Sequence, residues 1–330
     1  MRVLLTGAAG FIGYHTVLRL TSEGHHVVGL DNLNDYYDVG LKKKRLNNLS
    51  FSYENLKHGS AGSTFSFIQG DIAHSIVWSR LIDEHFDLII HFAAQAGVRY
   101  TLERPELYFQ TNIIGFQNVL EFAKLKRIGK VIYASSSSVY GNHTRTPFVE
   151  DNIGDIQPNI YALSKRFNEM MADTYGDLEK ISFIGLRFFT VYGPYGRPDM
   201  AVFNFVESIR NNLKIQLYNN GNQTRDFTYI DDIVDGIMAS VNRISKLIPG
   251  SSEIFNLGCG SPVRLFDFVS IIESILEKKA RTELSEILKI EMTDTYCSTE
   301  KSRKMLNFTP KISIEDGLKK YIEWHTSFYV

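Results

Sequence analysis

The sequence predicts an α/β protein, a doubly wound parallel sheet with a smaller C-terminal domain. Three observations carry this. Short apolar runs alternate with helical stretches through the first 187 residues. A glycine-spaced turn follows the first of those runs. Beyond it the order loosens, and Pro194, Pro198 and Pro262 interrupt shorter elements.

Each element has its own signal. Val3-Leu4-Leu5 reads as a buried strand, and Ile12 to Ser22 as the helix behind the glycines. His26 to Leu30, Phe65 to Gln69, Leu88 to Phe92, Lys130 to Ala134 and Ile181 to Leu186 read as further strands. Pro105 to Lys126 and Tyr161 to Tyr175 carry helical periodicity. Helices recur near 201–211, 265–279 and 313–325. A chain of 330 residues exceeds the usual ~100–200 of one domain. The expected division is a nucleotide-binding domain over 1–187, with a returning segment near 226–256, and a mainly substrate-binding domain over 188–330.

Hydrophobic residues make up 44% of the chain and aromatics 12%, enough for sizeable cores. A net charge of −1 offers no electrostatic footprint for nucleic acid or an anionic membrane. The one basic cluster, Lys42-Lys43-Lys44-Arg45, reads as a solvated helix face. Cys259 and Cys297 cannot build a disulfide framework and suit a reducing compartment. The first glycine comes at position 7, which leaves no room for a signal-peptide core. No apolar run approaches the roughly 18 residues that span a bilayer. The expectation is a cytoplasmic protein. His91, His143 and the other histidines have no metal-like spacing, so no metal is assigned.

The turn is Gly7-x-x-Gly10-x-x-Gly13. Such glycines allow the tight bend, the approach of a pyrophosphate and close helix packing, and the helix N-terminus offers free N–H groups to the phosphates. Asp31 follows at the end of the next strand, where a carboxylate binds the ribose hydroxyls of NAD. Asn32, Leu33 and Asn34 follow it with no adjacent arginine, so NAD is favoured over NADP. The sheet is therefore of Rossmann type. An ordinary turn with an exposed Asp is the alternative, and it leaves the strand and helix on either side unexplained.

Tyr161-Ala-Leu-Ser-Lys165 sets two side chains one helical turn apart on one face. A tyrosine ordinarily ionises near about pH 10. A nearby ammonium and a positive nicotinamide ring favour its phenolate. Such a tyrosine can take a proton from a sugar hydroxyl near neutral pH. Alone, the pair would more simply be a half-buried Tyr and a solvated Lys. Its context is a nucleotide-binding sheet and a preceding run of four serines, Ser135 to Ser138, within YASSSSVYG.

Together these motifs resemble the extended short-chain dehydrogenase/reductase family. The signposts are TGAAGFIG, DNLNDYYD, HFAAQAGVRYTLERP, YASSSSVYG, NIYALSK, RFFTVYGPYGRPDMA and RDFTYIDDI, spread over nearly the whole chain. Within the family the chain is similar to the nucleotide-sugar 4-epimerases, closest to those acting on UDP-glucuronate. The resemblance implies an isomerase with tightly bound NAD, a transient 4-keto sugar and a role in polysaccharide supply. It implies catalysis by Ser136, Tyr161 and Lys165. It implies NAD contacts from Gly7, Gly10, Phe11, Ile12, Gly13, Asp31, Asn32, Asn34 and Ala134. Asp71 and Ile72 would meet adenine. Ala93, Ala94, Gln95 and Asn112 would meet the middle of the dinucleotide. Phe189 would face the nicotinamide, and Tyr161 and Lys165 its ribose.

For the substrate, the resemblance implies a pocket with Ser135, Ser136, Ser137 and Ser138, and Arg225 as a clamp on the UDP diphosphate. A surface ion pair of Arg225 with Asp226 is the plainer alternative. Relatives that dehydrate or decarboxylate carry acids at the positions of Ser137 or Ser138, and neither serine can protonate a leaving hydroxyl. Thr190 and Arg197 suit a sugar carboxylate. The pattern departs at Leu288-Lys289-Ile290-Glu291, where the family usually carries a Gln- or Arg-Pro-Gly-Asp segment that touches the nucleotide. A UDP-glucose/UDP-galactose or N-acetyl 4-epimerase is the second reading, and a non-catalytic nucleotide-sugar binder the third. Relatives also pair two helices about a two-fold axis. That implies a homodimer through Ile113, Phe116, Leu120 and Ala123 on one helix and Phe167, Met170 and Met171 on the other.

Overall fold

A computed structural model describes residues 1–51, 64–142, 145–286 and 292–329. The chain opens with strand β1 (Arg2–Thr6), helix α1 (Phe11–Ser22), β2 (His26–Asp31), α2 (Val39–Phe51), β3 (Phe65–Gln69), α3 (Ser75–Ser79) and β4 (Leu88–His91). It continues with α4 (Pro105–Tyr108), α5 (Gly115–Leu125), β5 (Lys130–Ser136), α6 (Ile160–Glu179), β6 (Ser182–Phe188) and β7 (Thr190–Tyr192). Then come α7 (Ala201–Arg210), β8 (Lys214–Tyr218), β9 (Thr224–Tyr229), α8 (Ile230–Ile244), β10 (Ser252–Leu257), β11 (Pro262–Arg264) and α9 (Leu265–Leu276). The described chain closes with β12 (Arg281–Ser285), β13 (Asp294–Thr295), α10 (Glu300–Leu306) and α11 (Ile314–Phe328).

The chain divides into two compact units. The first holds 1–136, 160–187 and 237–255. The second holds 137–159, 188–236 and 256–330. Residues 137–159, placed above in the nucleotide-binding domain, group with the second unit because their polar groups are satisfied there. Phe148 N–H donates to the Tyr296 carbonyl, Ser298 N–H donates to the Phe148 carbonyl, and Asn256 N–H donates to the Glu150 carboxylate. Of the stretch 226–256, residues 237–255 return to the first unit.

The first unit is built on a seven-stranded sheet of order β10-β6-β5-β4-β1-β2-β3. β1 pairs in parallel with both β2 and β4, β2 with β3, and β4 with β5. This is a Rossmann-type order, with its reversal between β1 and β4, where such sheets bind dinucleotides. The central strands read as unbroken apolar runs because helices cover both faces. Leu4, Ile89, Val131 and Phe183 pack with Phe116, Leu120 and Ala123 of α5 in one core. These three α5 residues are fully buried, so they are core rather than the dimer face expected of them.

The helix expected over Pro105 to Lys126 is interrupted. Residues Phe109–Ile114 form a π-helical stretch between α4 and α5. Such bulges often mark functional sites, and this one carries Asn112. The second unit contains a small sheet of order β11-β9-β13, with β7 also paired to β9, and a β12-β8 pair. In its core the Phe227 and Phe268 rings stack at 4.1 Å.

Candidate active site

In the first unit the glycine turn lies between β1 and α1. Gly7 has a φ of 77°, a left-handed backbone that favours glycine. A Cβ on Gly13 would lie 2.0 Å from the Gly7 carbonyl oxygen, so only glycine lets α1 start this close to the loop. Gly10 occupies the N-cap and has no side chain to satisfy the first N–H groups of α1. The turn therefore fits a pyrophosphate. Phe11 and Ile12 form the first turn of α1. Asp31 accepts from Ala9 N–H at 3.1 Å and Leu33 N–H at 2.9 Å. Burial pushes its carboxyl above the usual range, against those N–H groups and the nearby cations Lys42 and Arg45.

The basic run is not a solvated face. Lys43 and Lys44 are exposed, but Lys42 and Arg45, three residues apart on α2, are buried. Lys42 Nζ donates to the Asn34 carbonyl and amide oxygens at 2.7 and 2.6 Å. Arg45 donates to the Ala9 carbonyl at 2.8 Å and to the Tyr37 hydroxyl at 2.6 Å. Both cations hold the loops on either side of Asp31. The (i, i+3) spacing behind an Asp-tipped strand was the available signal, masked by the four-residue charge run.

Asp71 accepts from the Asn32 amide at 2.9 Å. Ile72, expected against adenine, turns its side chain into the core, and its carbonyl accepts from Trp78 Nε1 and the Asn118 amide, both at 2.9 Å. Ala93 and Ala94 are half-buried. Asn112, expected against the dinucleotide, uses its amide within the protein. It donates to the Gln95 carbonyl at 3.0 Å and Ser164 Oγ at 2.9 Å, and accepts from Gln95 N–H at 2.8 Å. It thereby clamps the loop after β4 to α6.

Tyr161 lies in the first turn of α6, with its ring edge-on to Tyr108 at 6.2 Å. Lys165 follows one turn on, buried, and its Nζ donates to the Ala134 carbonyl at 2.9 Å. Burial lowers its pKa to about 8. Ser135 and Ser136 end β5, and strand alternation sends them to opposite faces. Ser135 does not line a pocket with Ser136: its buried hydroxyl donates to Glu169 at 2.7 Å.

In the second unit Ser137 and Ser138 lie in a 3₁₀ turn, Ser137–Tyr140. Phe189, expected to face the nicotinamide, is buried in a cluster with Val139, Tyr140, Phe148, Met292 and Cys297. Thr190 opens β7 opposite Phe227. Arg197 pairs with Asp199, Nε to Oδ1 at 2.9 Å and Nη2 to Oδ2 at 2.5 Å. Arg225 donates to the Thr224 and Thr293 carbonyls at 2.8 and 2.9 Å. Asp226, on the opposite strand face, is fully buried and accepts from Cys259, Gly260 and Cys297 N–H groups. Leu288 to Glu291 and His143 lie outside the described residues. Among the described residues there is no cluster of three metal-ligating side chains and no helix long and apolar enough to cross a membrane.

The model of the NAD dependent epimerase/dehydratase family matches residues 3–258. The chain belongs to that family. Its cofactor is accordingly NAD, which the glycine turn and Asp31 fit. Protein CapI of Staphylococcus aureus is 41% identical over 100% of this chain and 99% of its own. A probable UDP-glucuronate 4-epimerase of Rhizobium meliloti is 37% identical over 100% and 98%. The crystal structure of UDP-glucuronic acid 4-epimerase from Bacillus cereus, in complex with UDP-glucuronic acid and NAD, superposes with a TM-score of 0.89 at 31% identity. That match covers 100% of both chains.

Proposed function

We propose that this chain is an isomerase that interconverts UDP-glucuronate and UDP-galacturonate at C4. The observation that carries this is the full-length likeness to an epimerase solved with UDP-glucuronic acid and NAD. Gly7, Gly10 and Gly13 would pass the pyrophosphate beneath the N-terminus of α1, and Asp31 would hold the adenosine ribose. Bound NAD supplies a reversible two-electron acceptor at C4. Tyr161 takes the proton from O4, and Ser136 hydrogen-bonds O4 and helps pass that proton. Lys165 stabilises the ionised Tyr161 and orients the nicotinamide ribose. The 4-keto sugar turns, and Tyr161 returns the proton to O4 on the inverted carbon.

The 4-keto form of glucuronate is a β-keto acid that loses CO2 readily. The hydroxyls of Ser137, Ser138 and Thr190 hold its carboxylate, Arg197 supplies the cation, and Arg225 clamps the diphosphate. No acid stands at Ser138 to drive an elimination, so reversible oxidation at one carbon remains.

We also propose a homodimer and a cytoplasmic location. The exposed apolar residues Leu163, Phe167 and Met170 on α6 support the first. The free thiols of Cys259 and Cys297 support the second. The direct test is incubation with UDP-glucuronate, UDP-glucose and UDP-N-acetylglucosamine separately, with products identified by proton NMR. UDP-galacturonate from UDP-glucuronate alone is expected. Turnover of the neutral sugars only would move the assignment to the UDP-galactose type. No turnover by NAD-loaded protein would reduce it to a binding protein.

A further inference from the structure

The serine run begins with a residue that this reaction leaves unused. Ser135 is buried, and its hydroxyl donates to Glu169 Oε1 at 2.7 Å. Glu169 is fully buried on α6, one turn beyond Lys165 and two beyond Tyr161. Arg187 of β6, equally buried, donates to the same carboxylate from Nε at 2.8 Å and from Nη2 at 3.0 Å. Arg166 adds a contact to Oε2 at 3.1 Å. One carboxylate thus ties β5, β6 and α6 together within the first unit.

A carboxylate so far from water is costly unless it is paired and hydrogen-bonded. Here each oxygen accepts two donors, Oε1 from Ser135 and Arg187 and Oε2 from Arg187 and Arg166. Apolar residues of similar volume would stabilise the unit as well or better. What a satisfied, directional network adds is registry between the elements it joins. The registry in question is that of the end of β5 against the first half of α6. These segments carry Ser136 and Tyr161. Because Ser136 is the very next residue on β5, any slip of Ser135 moves it too.

We propose that Ser135, Glu169 and Arg187 are positioning residues that hold Ser136 in the placement relative to Tyr161 that proton transfer at O4 requires. The proposal rests on the roles given to Ser136 and Tyr161 above. Ser135→Ala removes one donor and leaves the Glu169–Arg187 pair intact. The variant should fold, retain NAD and keep a KM near wild type. A misplacement of about 1 Å can cost about 10²-fold, so its kcat should fall by at least about tenfold. Ser135→Thr keeps the hydroxyl and should recover most of the loss.

The deciding experiment is a double-mutant cycle on kcat with Ser135→Ala and Ser136→Ala in NAD-loaded enzyme. The Ser135→Ala loss should vanish in the Ser136→Ala background, where nothing is left to position. An equal loss in both backgrounds would mean a general structural role and would overturn the proposal. A costly Ser136→Ala beside a harmless Ser135→Ala would sink the proposal alone. Wild-type kcat in Ser136→Ala would remove the role of Ser136 and the proposal together.

Discussion

Burial decides the charge state of the two basic side chains nearest the end of β4 and β5. Lys165 is lowered to about 8 by burial and is still mainly a cation at neutral pH. His91, held by Thr6 Oγ1 at 2.7 Å, is lowered to about 3 by burial and then by the charge of Lys165. In the unfolded chain His91 takes a proton near 6.5, whereas in the fold it stays neutral down to about 3. Between those values the unfolded state binds more protons, so stability drains away as pH falls through that window. His91→Gln should flatten this loss, which urea midpoints measured across the window would show. A variant as acid-sensitive as wild type would refute the assignment. At the site itself, Tyr161→Phe should keep its fold and its NAD yet lose about 10²–10⁴-fold in kcat, with Ser136→Ala losing less. Near-normal epimerisation by Tyr161→Phe would remove the mechanism. Tyr161 and Lys165 were legible because their spacing is local to one helix. That Ser135 and Ser136 face opposite ways follows from strand alternation, but Glu169 and Arg187, which hold Ser135 in a buried network, lie 34 and 52 residues beyond it.

Helix α6 presents two faces. Ala162, Lys165, Glu169 and Ala172 face inward, while Leu163, Phe167 and Met170 are exposed at 44%, 40% and 52%. The exposed set follows i, i+4, i+7 spacing and forms one stripe. Light scattering at micromolar concentration should give about twice 37.7 kDa for wild type. Phe167→Glu combined with Met170→Lys should give the single mass, and a wild type already at that mass would end the dimer proposal. Helix α11 supplies a simpler test. The Ser313 side chain accepts from Asp316 N–H at 3.1 Å, a standard N-cap. Ser313→Ala should cost about 0.5–2 kcal/mol by chemical denaturation. The long helices α1, α6, α9 and α11 were readable because apolar residues recur along each at helical spacing. In α2 the helix was legible but the burial of Lys42 and Arg45 was not, because the basic run looked like solvent-facing charge. The π-helical break before α5 left no mark in a pattern that reads periodicity but not one extra residue in a turn.

For the molecule as a whole, the redox cycle closes on itself and NAD need never leave. Purified protein, denatured and assayed, should therefore release stoichiometric NAD without any having been added, and cofactor-free protein would argue against internal recycling. The parallel order of the sheet was legible because strand and helix signals alternate; the small sheet of the second unit was not, because β11, β13 and β7 are two or three residues long. The route of the chain has a further consequence. It passes from one unit to the other at 136/137, 159/160, 187/188, 236/237 and 255/256. No single breakpoint separates the units, and the first crossing falls inside the serine run itself. Recombination, which exchanges continuous stretches, cannot hand this chain a new second unit without also breaking the first. A chimera builder would have to transplant three segments together to do it in one step.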